Sequence, residues 1–194
     1  MKNMKKKIVL IDMDGVLCQY DEKMLQIAHT RYGLPLYTSE DIDSFHTEGI
    51  FPEEYHKRVD AIGDEEGFFE SLEPFPGAIK AFHEIAALPD VRVFICTSPK
   101  SYYKNQFSAI EKLAWVSKFL GPKWTDKVII TRDKTLVSGD ILIDDKPTVN
   151  GAMKPVWTHV HYDRPYNRET KNLRIVSWNR WEEVLLPLLR SQQL

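Results

Sequence analysis

Only two cysteines, Cys18 and Cys96, occur among the 194 residues. Both lie within or beside apolar stretches and form no paired framework, which excludes a disulfide-stapled scaffold and leads us to expect a reducing, cytoplasmic setting. Long apolar runs are also missing. The longest near the N-terminus is Ile8 to Ile11, too short for the core of a signal peptide, so the basic Lys5, Lys6 and Lys7 read as a solvated lead-in. No stretch approaches the roughly 20 apolar residues that span a bilayer, and no membrane partner is expected. A basic excess is lacking: 26 Lys+Arg against 28 Asp+Glu give a net charge of −2. A protein that neutralises many phosphates needs such an excess, so polymeric nucleic acid is not expected, whereas small anionic ligands remain open. GxGxxG, GxxxxGK and GxSxG are all absent, and dinucleotide, P-loop and serine-hydrolase readings lose their support. What remains, 43% hydrophobic and 28% charged residues, is an ordinary globular composition, neither disordered nor collagen-like.

The charge is unevenly spread. Between Glu40 and Glu73 twelve acidic residues face only Lys57 and Arg58, a window of −10 in a chain whose remainder sums to +8. With Gly49, Gly63 and Gly67 and no β-rich run, this stretch reads as an inserted helical segment with a polar exterior, its acids on a solvated face. Outside it, strand and helix patterns alternate. Strands are expected at Lys7 to Asp12, Val91 to Thr97, Lys127 to Thr131, Asp140 to Asp144, Trp157 to Tyr162 and Leu173 to Val176. A helix from about Pro76 places Ile79, Phe82, Ile85 and Ala86 on one face and stops at Pro89. A second runs from Lys104 to Leu120 and closes at Gly121-Pro122. Asn179 is the expected N-cap of a last helix that Pro187 bends or ends. The fold class is therefore α/β, a Rossmann-like parallel sheet with helices on both faces and a small inserted helical cap. The core would comprise residues 1–20 and 72–194, and the cap residues 21–71.

In such sheets ligands sit beyond the carboxyl ends of the strands. Those ends carry Asp12-Met13-Asp14-Gly15, Thr97-Ser98-Pro99, Thr131-Arg132-Asp133-Lys134 and Asp144-Asp145-Lys146. Converging carboxylates repel unless a cation joins them, and an oxygen-rich set without thiolate or paired imidazole favours Mg2+. Mg2+ keeps only one or two protein carboxylates and completes its shell with water and phosphate, so a phosphoryl substrate fits. The hydroxyls of Thr97 and Ser98 and the ammonium of Lys134 are suitable donors to phosphate oxygens. Gly15 lets the chain turn after the strand, so Asp12 and Asp14 need not point the same way. One carboxylate could then act as nucleophile, and the other as general acid and base.

DMDGVL from Asp12 to Leu17, Thr97-Ser98, Lys134 and Asp144-Asp145, in this order, resemble the four motifs of the haloacid dehalogenase superfamily of phosphatases. PFPGAIKAF, VFICTSP, EKLAWVSKFLGP and TRDKTLVSGDILIDD are similar to stretches of the 5′(3′)-deoxyribonucleotidases, and the likeness covers most of residues 7–161. The resemblance implies a Mg2+-dependent hydrolysis of (deoxy)nucleoside monophosphates through an aspartyl-phosphate. Asp12 would be nucleophile and metal ligand, and Asp14 the acid and base with its carbonyl on the metal. Asp145 would be the third protein ligand, with Asp144 behind it. Thr97, Ser98 and Lys134 would hold the phosphate, Tyr20 would stand against the base, and the small-molecule partner would be a nucleotide. The family's aromatic pair corresponds either to Phe45-His46 or to Ile50-Phe51. A homodimer is compatible with this reading.

Plainer readings compete. Lys100 and Lys146 lie near the same sheet edge as Lys134, and the family spacing, not the chemistry, selects Lys134. His159 and His161 could share a strand face as metal ligands, but with no third ligand in view they read as structural or surface residues. Cysteine-phosphatase chemistry would need an arginine six residues after the cysteine, where Tyr102 and Met24 stand, so Cys18 and Cys96 read as packing residues. Trp115 and Phe119, one turn apart, read as core or interface. A phosphatase for another phosphomonoester such as a sugar phosphate, or a phospho-receiver without turnover, are the alternatives to a nucleotidase.

Overall fold

The computed structural model describes residues 6–100, 103 and 105–191. β1 (Lys7–Ile11), β2 (Val91–Thr97), β3 (Val128–Ile130), β4 (Ile141–Asp144), β5 (Thr158–Tyr162) and β6 (Leu173–Ile175) form one sheet in the order β3-β2-β1-β4-β5-β6. Every pairing is parallel, with Val9 set beside both Val93 and Ile141. The chain builds outward from β1 to β3 and returns to β4, so the order reverses between β1 and β4. That switch point is where open α/β sheets receive ligands.

Alternation along the strands divides the core. Val9, Ile11, Val93, Ile95, Ile141 and Ile143 join the larger cluster, with Phe82, Ile85, Trp115 and Leu185 from the helices α3 (Ala78–Ala87), α4 (Ser108–Phe119) and α5 (Glu182–Ser191). Leu10, Cys96 and Leu142 point the other way into a smaller cluster closed by Trp157, Val137 and Val149. Residues 20–71 contain α1 (Tyr20–Tyr32), α2 (Glu53–Asp60) and three short 3-10 turns.

Several elements differ from expectation at their ends. The expected helix start at Lys104 lies outside the described residues, as does Tyr102. The helix is observed from Ser108, where Asn105 Oδ1 accepts from the amides of Phe107 and Ser108 at 2.7 and 2.8 Å. In α3 Ala78 and Ala81 share the buried face with Phe82 and Ile85, and Ile79 is only half-buried. Asn179 is not the last helix's cap: Ser177 Oγ accepts from the Asn179 amide and opens a 3-10 turn, Trp178–Arg180, ahead of α5. Pro187 sits inside α5 without ending it.

The acidic window is not merely solvated. Glu40 pairs with Arg168, and Asp60 and Asp64 with Lys100, so acids of this stretch meet cations that lie outside it. The complementary charge of the two parts of the sequence thus acts across their contact.

Candidate active site

Three of the strand ends converge. Asp12 follows β1 and its amide donates to Ile143 O at 2.9 Å, which fixes it beside the end of β4. Asp144 closes β4 and Asp145 follows it. Asp12, Asp144 and Asp145 are buried, and one carboxylate oxygen from each lies within 4.8 Å of the others. Lys134, opening a 3-10 turn beyond β3, holds its Nζ 2.7 Å from Asp12 Oδ2 and 2.5 Å from Asp144 Oδ2. Asp144 also accepts the Lys146 amide at 2.9 Å, so protein donors engage both of its oxygens. Asp12 Oδ1, by contrast, is buried without a hydrogen-bond partner among the described residues.

The charge is unbalanced. Fully ionised, the three carboxylates and the single ammonium carry −2, the complement of a divalent cation. Burial pushes the Asp12 carboxyl up to about 6 against the pull of Lys134, with the charges of Asp144 and Asp14 adding to the rise. Burial, then Asp144 and Asp12, push Asp145 well above the usual carboxylate range. Asp144 is also penalised by burial, but Lys134 and the Lys146 amide hold it below its ordinary value. An all-oxygen donor set carrying this surplus of negative charge fits a hard cation.

Asp14 is turned away from this cluster. Gly15, at φ +70°, reverses the chain after β1, and Asp14 Oδ2 meets Lys112 Nζ at 2.5 Å. Lys112 is fully buried and donates also to Thr97 Oγ1 at 3.1 Å. Asp12, Asp14, Ser98, Lys134, Asp144 and Asp145 line a cavity of about 440 Å³, and Tyr20, Phe45 and Phe69 supply aromatic walls. Thr97 does not line it: the side chain is wholly buried and its hydroxyl is turned to Lys112.

The open alternatives separate here. Phe45 and His46 stand at the cavity, whereas Phe51 is buried against Tyr37 at 5.4 Å. Lys100 and Lys146 reach the cavity too, but Lys100 is held by Asp60 at 2.7 Å and Lys146 lies over the Phe45 ring at 5.4 Å. His159 and His161 meet edge to face, their ring centres 4.3 Å apart, and among the described residues they join no group of three metal-ligating side chains. Both thiols are buried and free, and burial pushes that of Cys96 up to about 12, the reverse of what a thiolate nucleophile needs. Trp115 is core, its indole N–H donating to Leu72 O at 2.7 Å.

Lys112 and Tyr166 escaped the sequence reading. Ser108, Glu111, Lys112, Trp115 and Val116 form the buried face of α4, so two charged residues at apolar positions were the available signal. Glu111 accepts from the amides of Gly67 and Phe69 at 2.6 and 3.0 Å and fixes the turn that carries Phe69 to the cavity. Tyr166, whose hydroxyl donates to Asp145 Oδ2 at 2.5 Å, sits in a turn with no periodicity to mark it.

Residues 6–194 match the family model described as 5′ nucleotidase, deoxy (Pyrimidine), cytosolic type C protein. The cytosolic-type 5′(3′)-deoxyribonucleotidase of Homo sapiens is 37% identical over 187 residues, covering 91% of this chain and 92% of that protein. A Bordetella parapertussis protein that bears the name 5′(3′)-deoxyribonucleotidase provisionally is 40% identical over 180 residues, 92% of this chain and 95% of its own. Among solved structures, a HAD family hydrolase from Deinococcus radiodurans with bound phosphate and sodium has a TM-score of 0.60 at 13% identity, covering 96% of this chain and 97% of that one. At that identity the likeness concerns the fold. No helix among the described residues is long and apolar enough to cross a membrane. The family match over nearly the whole chain and its relatives mean that the chain, with the fold of a HAD family hydrolase, belongs to the 5′(3′)-deoxyribonucleotidases, which are phosphoric monoester hydrolases.

Proposed function

We propose that the chain is a Mg2+-dependent phosphatase that hydrolyses (deoxy)nucleoside monophosphates to nucleoside and phosphate through an aspartyl-phosphate on Asp12. The observation that carries this reading is the buried Asp12 Oδ1, which has no hydrogen-bond partner among the described residues and belongs to a carboxylate that lines the cavity. Lys134 occupies the other oxygen, so the free one is available for attack.

Asp12 attacks phosphorus as the bond to the nucleoside oxygen breaks, and Asp14 delivers its proton to that oxygen. Asp14 then takes a proton from water, whose oxygen attacks the phosphorus and releases Asp12 and inorganic phosphate. Lys134 and Ser98 hold phosphate oxygens in the cavity, while Thr97, turned inward, acts through Lys112. Asp12, Asp145 and the carbonyl of Asp14 would hold the Mg2+, with Asp144 keeping Lys134 in place. The bound ion would supply charge neutralisation for the phosphoryl group.

Residues 21–71 serve as the cap, and Tyr20 and Phe45 as walls for the base, a role supported by their place along the cavity. The setting is cytoplasmic, in keeping with two free buried cysteines and with the cytosolic name of one human relative. A panel of deoxy- and ribonucleoside 5′- and 3′-monophosphates and sugar phosphates, assayed for phosphate release with Mg2+ and with EDTA, tests the reading. Turnover strongest on deoxynucleotides, abolished by EDTA and by Asp12→Asn, is expected. Turnover confined to sugar phosphates would overturn the substrate, and an active Asp12→Asn would overturn the nucleophile.

A further inference from the structure

The turn after β5 reaches two parts of the cavity at once. Asn167 is fully buried, and its Nδ2 donates to Asp145 O at 2.7 Å and to Tyr162 O at 2.9 Å, clamping the turn Pro165–Asn167 to the backbone that carries Asp145. From this anchored turn, Tyr166 sends its hydroxyl to Asp145 Oδ2 at 2.5 Å. The same oxygen is packed against Gly15, where a Cβ would collide with it and come within 3.4 Å of the Tyr166 hydroxyl. One oxygen of Asp145 is therefore fixed on two sides by groups that carry no charge. The ring of Tyr166 has a second neighbour, Phe45, edge-on at 5.8 Å and 88°.

We propose that Tyr166 is a positioning residue with two outputs: its hydroxyl orients the Asp145 carboxylate for the divalent cation, and its ring sets Phe45 at the nucleoside end of the cavity. The proposal rests on the reading of Asp12 and Asp145 as metal ligands. A carboxylate free to rotate presents its oxygens to a cation only part of the time, and a fixed donor on one oxygen removes that freedom. Partners of this kind typically change metal affinity about 10- to 100-fold when lost. Because the ring that carries the hydroxyl also supports Phe45, a displacement of Phe45 by the nucleotide is felt at Asp145. The turn thus links the two ends of the cavity.

Tyr166→Phe separates the two roles, since it deletes the hydroxyl and keeps the ring. Each variant is titrated with MgCl2 alone, following melting temperature against concentration, and the KM for a deoxynucleoside monophosphate is measured at saturating Mg2+. Tyr166→Phe is expected to raise the apparent Mg2+ dissociation constant about tenfold or more, with KM within about twofold of wild type. Tyr166→Leu is expected to raise both. Asp145→Asn, titrated in parallel, is expected to lose the Mg2+ response. If Asp145→Asn loses the response but Tyr166→Phe titrates like wild type, the positioning role is wrong while the metal site stands. If Tyr166→Leu leaves KM unchanged, the link to Phe45 is wrong. If Asp145→Asn responds to Mg2+ like wild type, the metal reading falls and this proposal with it.

Discussion

Lys112 places its ammonium 2.5 Å from Asp14 Oδ2 at the end of a side chain that has no exposed surface. It lies on the buried face of α4, its Nζ is 4.5 Å from the centre of the Phe69 ring, and its second hydrogen bond goes to Thr97 Oγ1. It is thus the common anchor of a carboxylate after β1 and a hydroxyl at the end of β2. Lys112→Met fills the same slot without the charge. Asp14 is about a quarter exposed and can be hydrated, so the stability loss should fall below the ~3–5 kcal/mol of a fully buried broken pair. The rate should suffer more, by about 100-fold in kcat, because Asp14 loses the tether that aims it. Lys112→Arg should not rescue, since a guanidinium does not fit the closed slot. Phosphate release beside a thermal melt reads both effects; a wild-type kcat in Lys112→Met would detach Lys112 from the work of Asp14.

The raised carboxyl of Asp12 gives the metal-free protein a definite pH dependence. Its value moves from 3.8 to about 6 on folding, driven first by burial. Between those values the folded protein keeps a proton that the unfolded chain has released, so this group's contribution to stability falls as pH rises through the window. Asp145, also pushed up, acts in the same direction. A cation needs both groups ionised and must expel their protons. The Mg2+-induced rise in melting temperature should therefore be small near about pH 5 and larger near about pH 7.5. Titration calorimetry near about pH 6 in buffers of different ionisation enthalpy should register proton release; heats independent of the buffer would count against it.

Asp145→Asn should separate stability from function. The substitution removes a carboxyl that burial, then the charges of Asp144 and Asp12, make costly to ionise, and Lys134 contacts Asp12 and Asp144 but is not paired with Asp145. The metal-free variant should melt about 2–4 °C above wild type, the shift that ~1 kcal/mol produces in a chain of this size. Phosphate release should be lost. A melt no higher than that of wild type would mean that the protein relieves the repulsion between these carboxylates in another way.

The strand ends were legible because parallel buried strands write themselves as β-branched runs that stop at polar residues. KIVLID and VFICT needed no tertiary information, and Asp12, Lys134, Asp144 and Asp145 fell together once the sheet order was known. Thr97 was placed at the right strand end, but which way its hydroxyl turns depends on Lys112, a residue of α4. Lys112 itself left a trace, a lysine on a helix face otherwise shared with Trp115 and Val116. Phe45 could not be told from Phe51 because short 3-10 turns have no period long enough to assign a face. Tyr166 and Arg164 are a harder case: RPYN reads as a plain turn, and only its meeting with Asp21 on one side and Asp145 on the other gives it work. The acidic window is largely exposed, as expected, and what the sequence did not show is that Glu40, Asp60 and Asp64 also pair with Arg168 and Lys100.

Arg164 is the test of that contact. Its guanidinium, nearly buried, lies 2.7 Å from Asp21 Oδ2 and 2.9 Å from Glu22 Oε1, and sits over the Phe75 ring at 5.2 Å. Asp21 accepts a second hydrogen bond from Thr47 Oγ1 at 2.6 Å, which ties the first turn of α1 to the turn that follows Phe45. Burial raises the Asp21 carboxyl even with Arg164 opposing it, so the cost of losing the arginine falls on a group already short of solvation. Arg164→Leu should therefore destabilise by about 3–5 kcal/mol, the range for removing one partner of a buried pair. Thr47→Val, which deletes only a neutral donor, should cost about 1–3 kcal/mol at most. Urea unfolding measures both, and the KM for the nucleotide should rise in Arg164→Leu because the turn beside Phe45 loses its anchor. A loss below about 1 kcal/mol for Arg164→Leu would place this network among surface ion pairs and remove it as the hold between residues 21–71 and the sheet.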